Sequence, residues 1–473
     1  MEKYKRLFKD IKVLTLSNFG SKVLAFLLVP LYTSVLSTEE YGDYDIIYTT
    51  ISLLAPILTV NIAEGALRFL LEKESKKSQI ISITFTFNIL SIFIVAALLA
   101  VNSIYNLIPA FKEYSVLFLL LYITFSLYQT EQNITRGLDK LKQIGIGGLI
   151  NSVLVLVLNI AFLVFFKMGI RGFFMANIIA YAITTVYLFF AGKTYAYFER
   201  GAKRDKKTKT DLVAYSRPMM LNSISWWVNS VSDRYLVTLI CGAAANGVYS
   251  MSYKIPTILT MVQSIFNQAW TISSTKSYDK DDKNNYFANI YMGYNLLLTV
   301  VCSLLIACTK FLATILYKNE FFEAWEYMPF LLISVVFSSL AGVLSGVFVA
   351  VKDSKLIGYT SFVGAVINII FNIILISVMG PIGAAIATLI SSLAIWIMRY
   401  AKAKKYIKLE SINVMRDCLS YGLLLAQSVV LFYIGSWHVI IVEAIILLVI
   451  LALYSRDIAF LFNKMIKYKR EKK

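Results

Sequence analysis

Two lysines stand where a cation is costly. Lys22 lies near the middle of the apolar run 12–36, and Lys254 lies at similar depth in the run 245–272. An ionised side chain at the centre of a bilayer costs about 2.5–3.5 kcal/mol on insertion scales, so such residues mark a site or a pair. Two lysines facing one cavity would attract an anion, and phosphate is the natural candidate because an ammonium holds it as a point charge. Two arginines extend the set. Arg68 sits near the end of the run 44–70, where its long side chain also reaches the surface by snorkelling. Arg234 sits near the outer end of 216–240. Neutral donors lie beside them: Asn18 shares a helical face with Thr15 and Lys22, and Asn229 shares one with Asn222, Ser225 and Ser232.

Carboxylates accompany the cations. Glu64 precedes Arg68 at the i,i+4 spacing that lets opposite charges meet on a helix. Asp233 adjoins Arg234 and forms a second candidate pair at the outer interface. Glu131 is expected to pair with Arg136 or water, and Glu443 has no cation near it in the sequence. His438 is the single histidine, and Cys241, Cys302, Cys308 and Cys418 show no paired spacing. No metal site, cofactor or catalytic centre is expected from them.

The elements that position these residues are membrane spans. Of the 473 residues 58% are apolar and 16% charged, against about 45–50% and about 25% in a soluble domain. The apolar residues form fourteen runs near the ~20 residues that cross a bilayer, which makes the chain an all-α polytopic membrane protein. The net charge of +18 reflects topology and not nucleic-acid binding. Most Lys and Arg fall on alternate loops, whereas the opposite loops hold Lys112, Lys167, Arg171, Lys310 and Lys318. The positive-inside rule then places both termini in the cytoplasm, with the first span kept as an anchor and no cleavable signal peptide. The outer loops are short, which leaves no external domain for a soluble active site. Pro30, Pro56, Pro218 and Pro256 fall in spans one, two, seven and eight, the spans that carry the charge, and kinks there suit a moving gate.

The chain also repeats itself. Tyr41-Gly42-Asp43-Tyr44 aligns with Asn246-Gly247-Val248-Tyr249. Asn159-Ile160 and Met168-Gly169-Ile170-Arg171-Gly172 align with Asn372-Ile373 and Met379-Gly380-Pro381-Ile382-Gly383. Two six-span lobes follow, 1–192 and 216–401, joined by the basic linker 193–215; the segment 402–473 adds two spans and a basic tail. Both lobes start on the same side, so the repeats are parallel, an arrangement that suits alternating access around a site between lobes.

The segment LSNFGSKVLAFLLVPLYTSVLSTEEYGDYDIIYTTISLLAPIL, followed by NIAEGALRFL, resembles the N-terminal signature of bacterial polysaccharide flippases. Their superfamily also holds multidrug exporters of the toxic-compound-extrusion (MATE) type and peptidoglycan-precursor flippases. The resemblance implies a MATE-like fold in the bacterial plasma membrane. It also implies a flippase that carries undecaprenyl-diphosphate-linked oligosaccharide repeat units to the outer leaflet for surface polysaccharide biosynthesis. Membrane lipids and a polysaccharide polymerase would be its partners. Relatives line a central cavity with Lys and Arg from early spans of each lobe. Lys22, Arg68 and Lys254 match that pattern, and Arg234 matches it more loosely. Some relatives carry several arginines in span one, where this chain has Lys22 alone and Asn18 a turn earlier. Two alternatives stay open: an ion-coupled multidrug exporter using Glu64, and a membrane polysaccharide polymerase, which the short outer loops disfavour.

Overall fold

The computed structural model describes residues 26–72, 76–197, 206–277, 285–351, 353–407, 409, 412–433 and 436–459. Asn18 and Lys22 lie outside the described residues. The described chain is helical, with no strand. It divides into two compact units, Ser17–Tyr235 and Leu236–Lys473.

The first unit contains α1 (Val29–Val35), α2 (Thr38–Leu58), α3 (Ile62–Leu70), α4 (Lys77–Tyr105), α5 (Pro109–Glu113), α6 (Ser115–Gly137), α7 (Leu141–Asn159) and α8 (Gly169–Ala191). It also holds α9 (Lys206–Cys241) as far as Tyr235. The second contains α10 (Ala243–Ser252), α11 (Pro256–Ser277), α12 (Tyr286–Ala307), α13 (Thr309–Leu316), α14 (Met328–Ala350), α15 (Ser354–Met379), α16 (Pro381–Ala403), α17 (Val414–Tyr433) and α18 (Ser436–Leu453). Eight helices among the described residues are long and apolar enough to cross a membrane, and α2 with α3, bent by 58°, makes a ninth. The start of α2 is set by a capping box. Ser37 Oγ accepts from the Glu40 N–H at 3.1 Å, and Glu40 Oε2 accepts from the Ser37 N–H at 2.9 Å.

The internal repeat is visible in the backbone. Gly169 and Gly380 both take positive φ, +55° and +67°, at the turn between the paired helices. Three residues on, Gly172 and Gly383 leave no room for a Cβ, which would fall 2.9 Å from Met168 Cβ and 2.3 Å from the Leu375 carbonyl. Asn159 and Asn372 are both fully buried, and each donates its amide one turn back, to the Val155 carbonyl at 2.7 Å and to Asn368 Oδ1 at 2.9 Å. The first copy has a longer stretch between Asn and Gly. A π-helical turn, Ile160–Phe165, and left-handed Lys167 (φ +51°) absorb the excess without moving either landmark out of register.

In the second unit α14 is the most buried helix. Its glycines let α11 approach closely. Trp270 Nε1 donates to the Val343 carbonyl at 2.7 Å, and Ser274 Oγ donates to that of Gly346 at 3.0 Å. Arg399 lies buried on α16. Its guanidinium donates to Ser345 Oγ (2.6 Å), Thr360 Oγ1 (2.9 Å), Ser361 Oγ (2.9 Å) and the Ala341 carbonyl (3.2 Å). Neutral acceptors from α14 and α15 thus satisfy the rigid fork of donors and make the buried charge tolerable.

The Gly346 contact yields a test. A Cβ there would lie 2.4 Å from Trp270 Nε1 and 2.6 Å from its Cδ1. Gly346→Ala should lower stability by about 1–3 kcal/mol through overpacking. Gly145→Ala, where nothing lies within 4 Å, should be neutral or stabilising. Thermal unfolding in detergent compares the two, and equal stability would contradict the close α11–α14 approach.

Candidate functional site

Several charged residues of the first unit lie along one seam. Span two is α2 and α3, broken at Thr59–Asn61 just after Pro56. Val60 and Asn61 have φ of +54° and +49°, and the Asn61 N–H donates to the Pro56 carbonyl at 2.7 Å. A break of this kind inside a membrane must be sheltered by protein. Asn61 supplies the shelter by donating its side-chain amide to Ser223 Oγ on α9 at 3.0 Å.

The same two spans are joined elsewhere along their length. Arg234 on α9 pairs with Asp45 on α2 at 2.7 Å, with side chains 19% and 8% exposed. Trp227 Nε1 donates to the Thr49 carbonyl at 2.9 Å, and the hydroxyls of Thr50 and Tyr235 are hydrogen bonded. Further along, a Cβ on Gly65 would meet Ser216 Oγ at 2.2 Å, and the Phe69 and Tyr215 rings lie 5.9 Å apart. Residue numbers rise on one side as they fall on the other, so spans two and seven form an antiparallel seam through the first unit.

Several expected pairings change. Arg234 reaches across to Asp45 and not to its neighbour; the Asp233 carboxylate accepts the Arg234 backbone N–H at 2.9 Å. Arg68 pairs with Glu72 at 3.0 Å and not with Glu64, both partners being about half exposed. The longer side chain points to the aqueous end of α3, where an exposed pair is worth about 0–1 kcal/mol. Glu64 stays half-buried with no side-chain partner among the described residues. Glu131 accepts from Thr194 Oγ1 at 3.0 Å, while Arg136 is exposed. Asn229 donates to the Ser225 carbonyl one turn back at 2.9 Å.

Two residues at the seam had not stood out. Asp45 closes the YGDYD segment and is the true partner of Arg234. Arg217 is exposed, with no ion pair among the described residues, and directly follows Ser216, where α9 comes closest to α3. Its position one residue before Pro218 in an apolar span was the available signal.

Lys254 belongs to the second unit. It lies half-buried in the non-helical step Tyr253–Ile255 between α10 and α11. Pro256 has no N–H for the Ser252 carbonyl four residues back, and the helix breaks before it. The Tyr317 hydroxyl and the Lys254 N–H take up the Met251 carbonyl at 2.9 and 3.0 Å. The Tyr249 and Tyr253 hydroxyls lie 3.1 Å apart beside the step.

Removing one partner of a poorly hydrated ion pair strands the other and costs about 3–5 kcal/mol. Arg234→Ala and Asp45→Ala should each destabilise the protein strongly, and the double variant by less than their sum. Additive losses of thermal stability in a double-mutant cycle would show that the two groups do not interact.

Against known proteins, the family of polysaccharide biosynthesis proteins matches residues 7–275, more than half of the chain. The MatE family matches 218–374, and the lipid II flippase MurJ family matches 317–454. An uncharacterized membrane protein of Methanocaldococcus jannaschii is 24% identical over 417 residues, 83% of this chain and 96% of that one. Among solved structures, lipid II flippase MurJ in an inward closed conformation has a TM-score of 0.71 at 13% identity, covering 94% of this chain and 99% of its own. An inward-facing multidrug resistance transporter of the MATE family has a TM-score of 0.68 at 13% identity, covering 81% and 94%. A MOP superfamily transporter from Pyrococcus furiosus, described as having a binding pocket of reverse polarity, has a TM-score of 0.59 at 14% identity, covering 85% and 95%. These structures share the fold, a polytopic all-α, MATE-like architecture. The chain belongs to the polysaccharide biosynthesis protein family, within the MOP superfamily of flippases and transporters.

Proposed function

We propose that this protein flips undecaprenyl-diphosphate-linked oligosaccharide repeat units from the inner to the outer leaflet of a bacterial plasma membrane. The observation that carries the reading is the family match over 7–275, which spans most of the intramembrane cations of the chain. In this reading Lys22, Lys254, Arg68 and Arg234 hold the diphosphate, and Asn18 and Asn229 donate hydrogen bonds to the headgroup. The lobes 1–192 and 216–401 alternate in access, tethered by 193–215, with 402–473 alongside and both termini cytoplasmic. No covalent step is involved, so the protein is a transporter and not an enzyme. A polysaccharide polymerase would consume the product.

The backbone step at Lys254 supports the role. A lysine beside a proline-bounded break sits next to hydroxyls and carbonyls that shift when the break bends. Arg68 and Arg234 hold their acidic partners in the described state, so cargo would have to compete with Glu72 and Asp45.

One observation favours a second reading, an ion-coupled multidrug exporter. Glu64 is a half-buried carboxylate without a partner among the described residues, as a coupling group would be. Asp233 is the other candidate for that part.

Lys22→Ala and Lys254→Ala should largely abolish export of surface polysaccharide while membrane insertion stays normal. Glu64→Gln should leave that export in place. Wild-type export in both lysine variants, with altered sensitivity to organic cations in Glu64→Gln, would favour the exporter instead.

A further inference from the structure

Two orphan oxygens face the interior of the C-terminal helix pair. Glu443, on α18, is 1% exposed. Its Oε2 accepts from Gln427 Nε2 on α17 at 2.8 Å. Its Oε1 is buried with no hydrogen-bond partner among the described residues, and so is Oε1 of Gln427. Both are acceptors, so a carboxylate and an amide cannot satisfy each other fully. One proton on the carboxyl supplies the missing donor. The acid then accepts the amide N–H and has an O–H to give to an oxygen that lacks a donor. The ionised form would instead leave a buried charge against a neutral amide, the arrangement that protein interiors avoid.

Among the described residues no counter-charge is paired with Glu443. On α17 the charged residues are Arg416 and Asp417, far along the helix from Gln427, and they are held by each other, by Asp457 and by Tyr454. The titratable side chains of α17 are otherwise Cys418, Tyr421 and Tyr433. Helix α12, also packed on α18, carries no charged residue, only Tyr286, Tyr291, Tyr294 and Cys302. On α18 itself His438 is exposed and more than a turn away. The nearby cation is Lys310 on α13. Its ammonium is spent on the Leu431 carbonyl at 2.7 Å and on the Trp325 ring, 4.3 Å from its centroid.

We infer that Glu443 and Gln427 form a buried, reversible proton-binding site, in which the carboxyl holds its proton while α17 and α18 are packed and gives it to water when they part. Protonation and the packing of this helix pair are therefore linked, whatever the cargo. Because Glu443 lies outside the cation set of the proposed site, the inference stands or falls separately from the flippase reading.

Infrared difference spectra of the full chain in lipid vesicles test it. At neutral pH, wild type minus Glu443→Gln should show the carbonyl band of a protonated carboxylic acid. The band should shift in Gln427→Met, which removes its partner, and persist in Glu131→Gln, which removes another buried acid. Alkalinisation should convert it to carboxylate, and acidification should restore it. Glu443→Gln keeps the shape and hydrogen bonding of the neutral acid, so it should fold normally. Carboxylate bands in the neutral-pH difference spectrum, or an acid band that no pH change alters, would overturn the inference.

Discussion

A bilayer interior offers no hydrogen-bond partner to a peptide group, and the rest of this structure depends on that. Helices satisfy their own backbone, so the described chain is helical across its apolar runs. The instructive places are those where it is not. At Thr59–Asn61 the left-handed turn is caught by Ser223 across the seam. At Tyr253–Ile255 the Met251 carbonyl is shared by the Tyr317 hydroxyl and the Lys254 N–H. Each break is therefore held by a few hydrogen bonds, each worth about 0.5–1.5 kcal/mol net. Such a joint can bend at modest cost, which a continuous helix cannot do.

Charge follows the same economy. Arg399, Arg234 and Arg416 are all at least partly withdrawn from water, and each spends its guanidinium on protein acceptors. Arg399 uses neutral oxygens alone and ties α14, α15 and α16 together. Arg399 and Arg416 explain themselves as structure. Arg217 and Glu64 do not, having no ion pair among the described residues, and they flank the point where α3 and α9 touch through Gly65 and Ser216. The contrast separates charges held by partners within the fold from charges without an ion pair among the described residues.

The repeat was legible in the sequence because its landmarks act locally. A glycine at positive φ or one without room for a Cβ is required by its own turn, so Gly169, Gly172, Gly380 and Gly383 leave a readable mark. The seven-residue tail of span one and the bend in span two were also foreshadowed, by Pro30 and Pro56. Pairings across space were not legible. Asp45 with Arg234, Glu131 with Thr194 and Glu443 with Gln427 join residues whose separation along the chain carries no periodic signal. Local spacing even misled: Glu64 and Glu72 both lie one helical turn from Arg68, and only the exposure of the helix end decides between them. Pro218 shows the limit of breaker logic, since α9 runs through it uninterrupted.

The central claim is that the protein moves a diphosphate-linked glycolipid between leaflets. Purified full-length protein, reconstituted into vesicles with a fluorescent undecaprenyl-diphosphate oligosaccharide, tests it most directly. The readout is the fraction of headgroup that an impermeant quencher reaches over time. The account predicts protein-dependent exchange between leaflets that falls away in Lys254→Ala. Labelled lipid that stays as protected as in protein-free vesicles would contradict it.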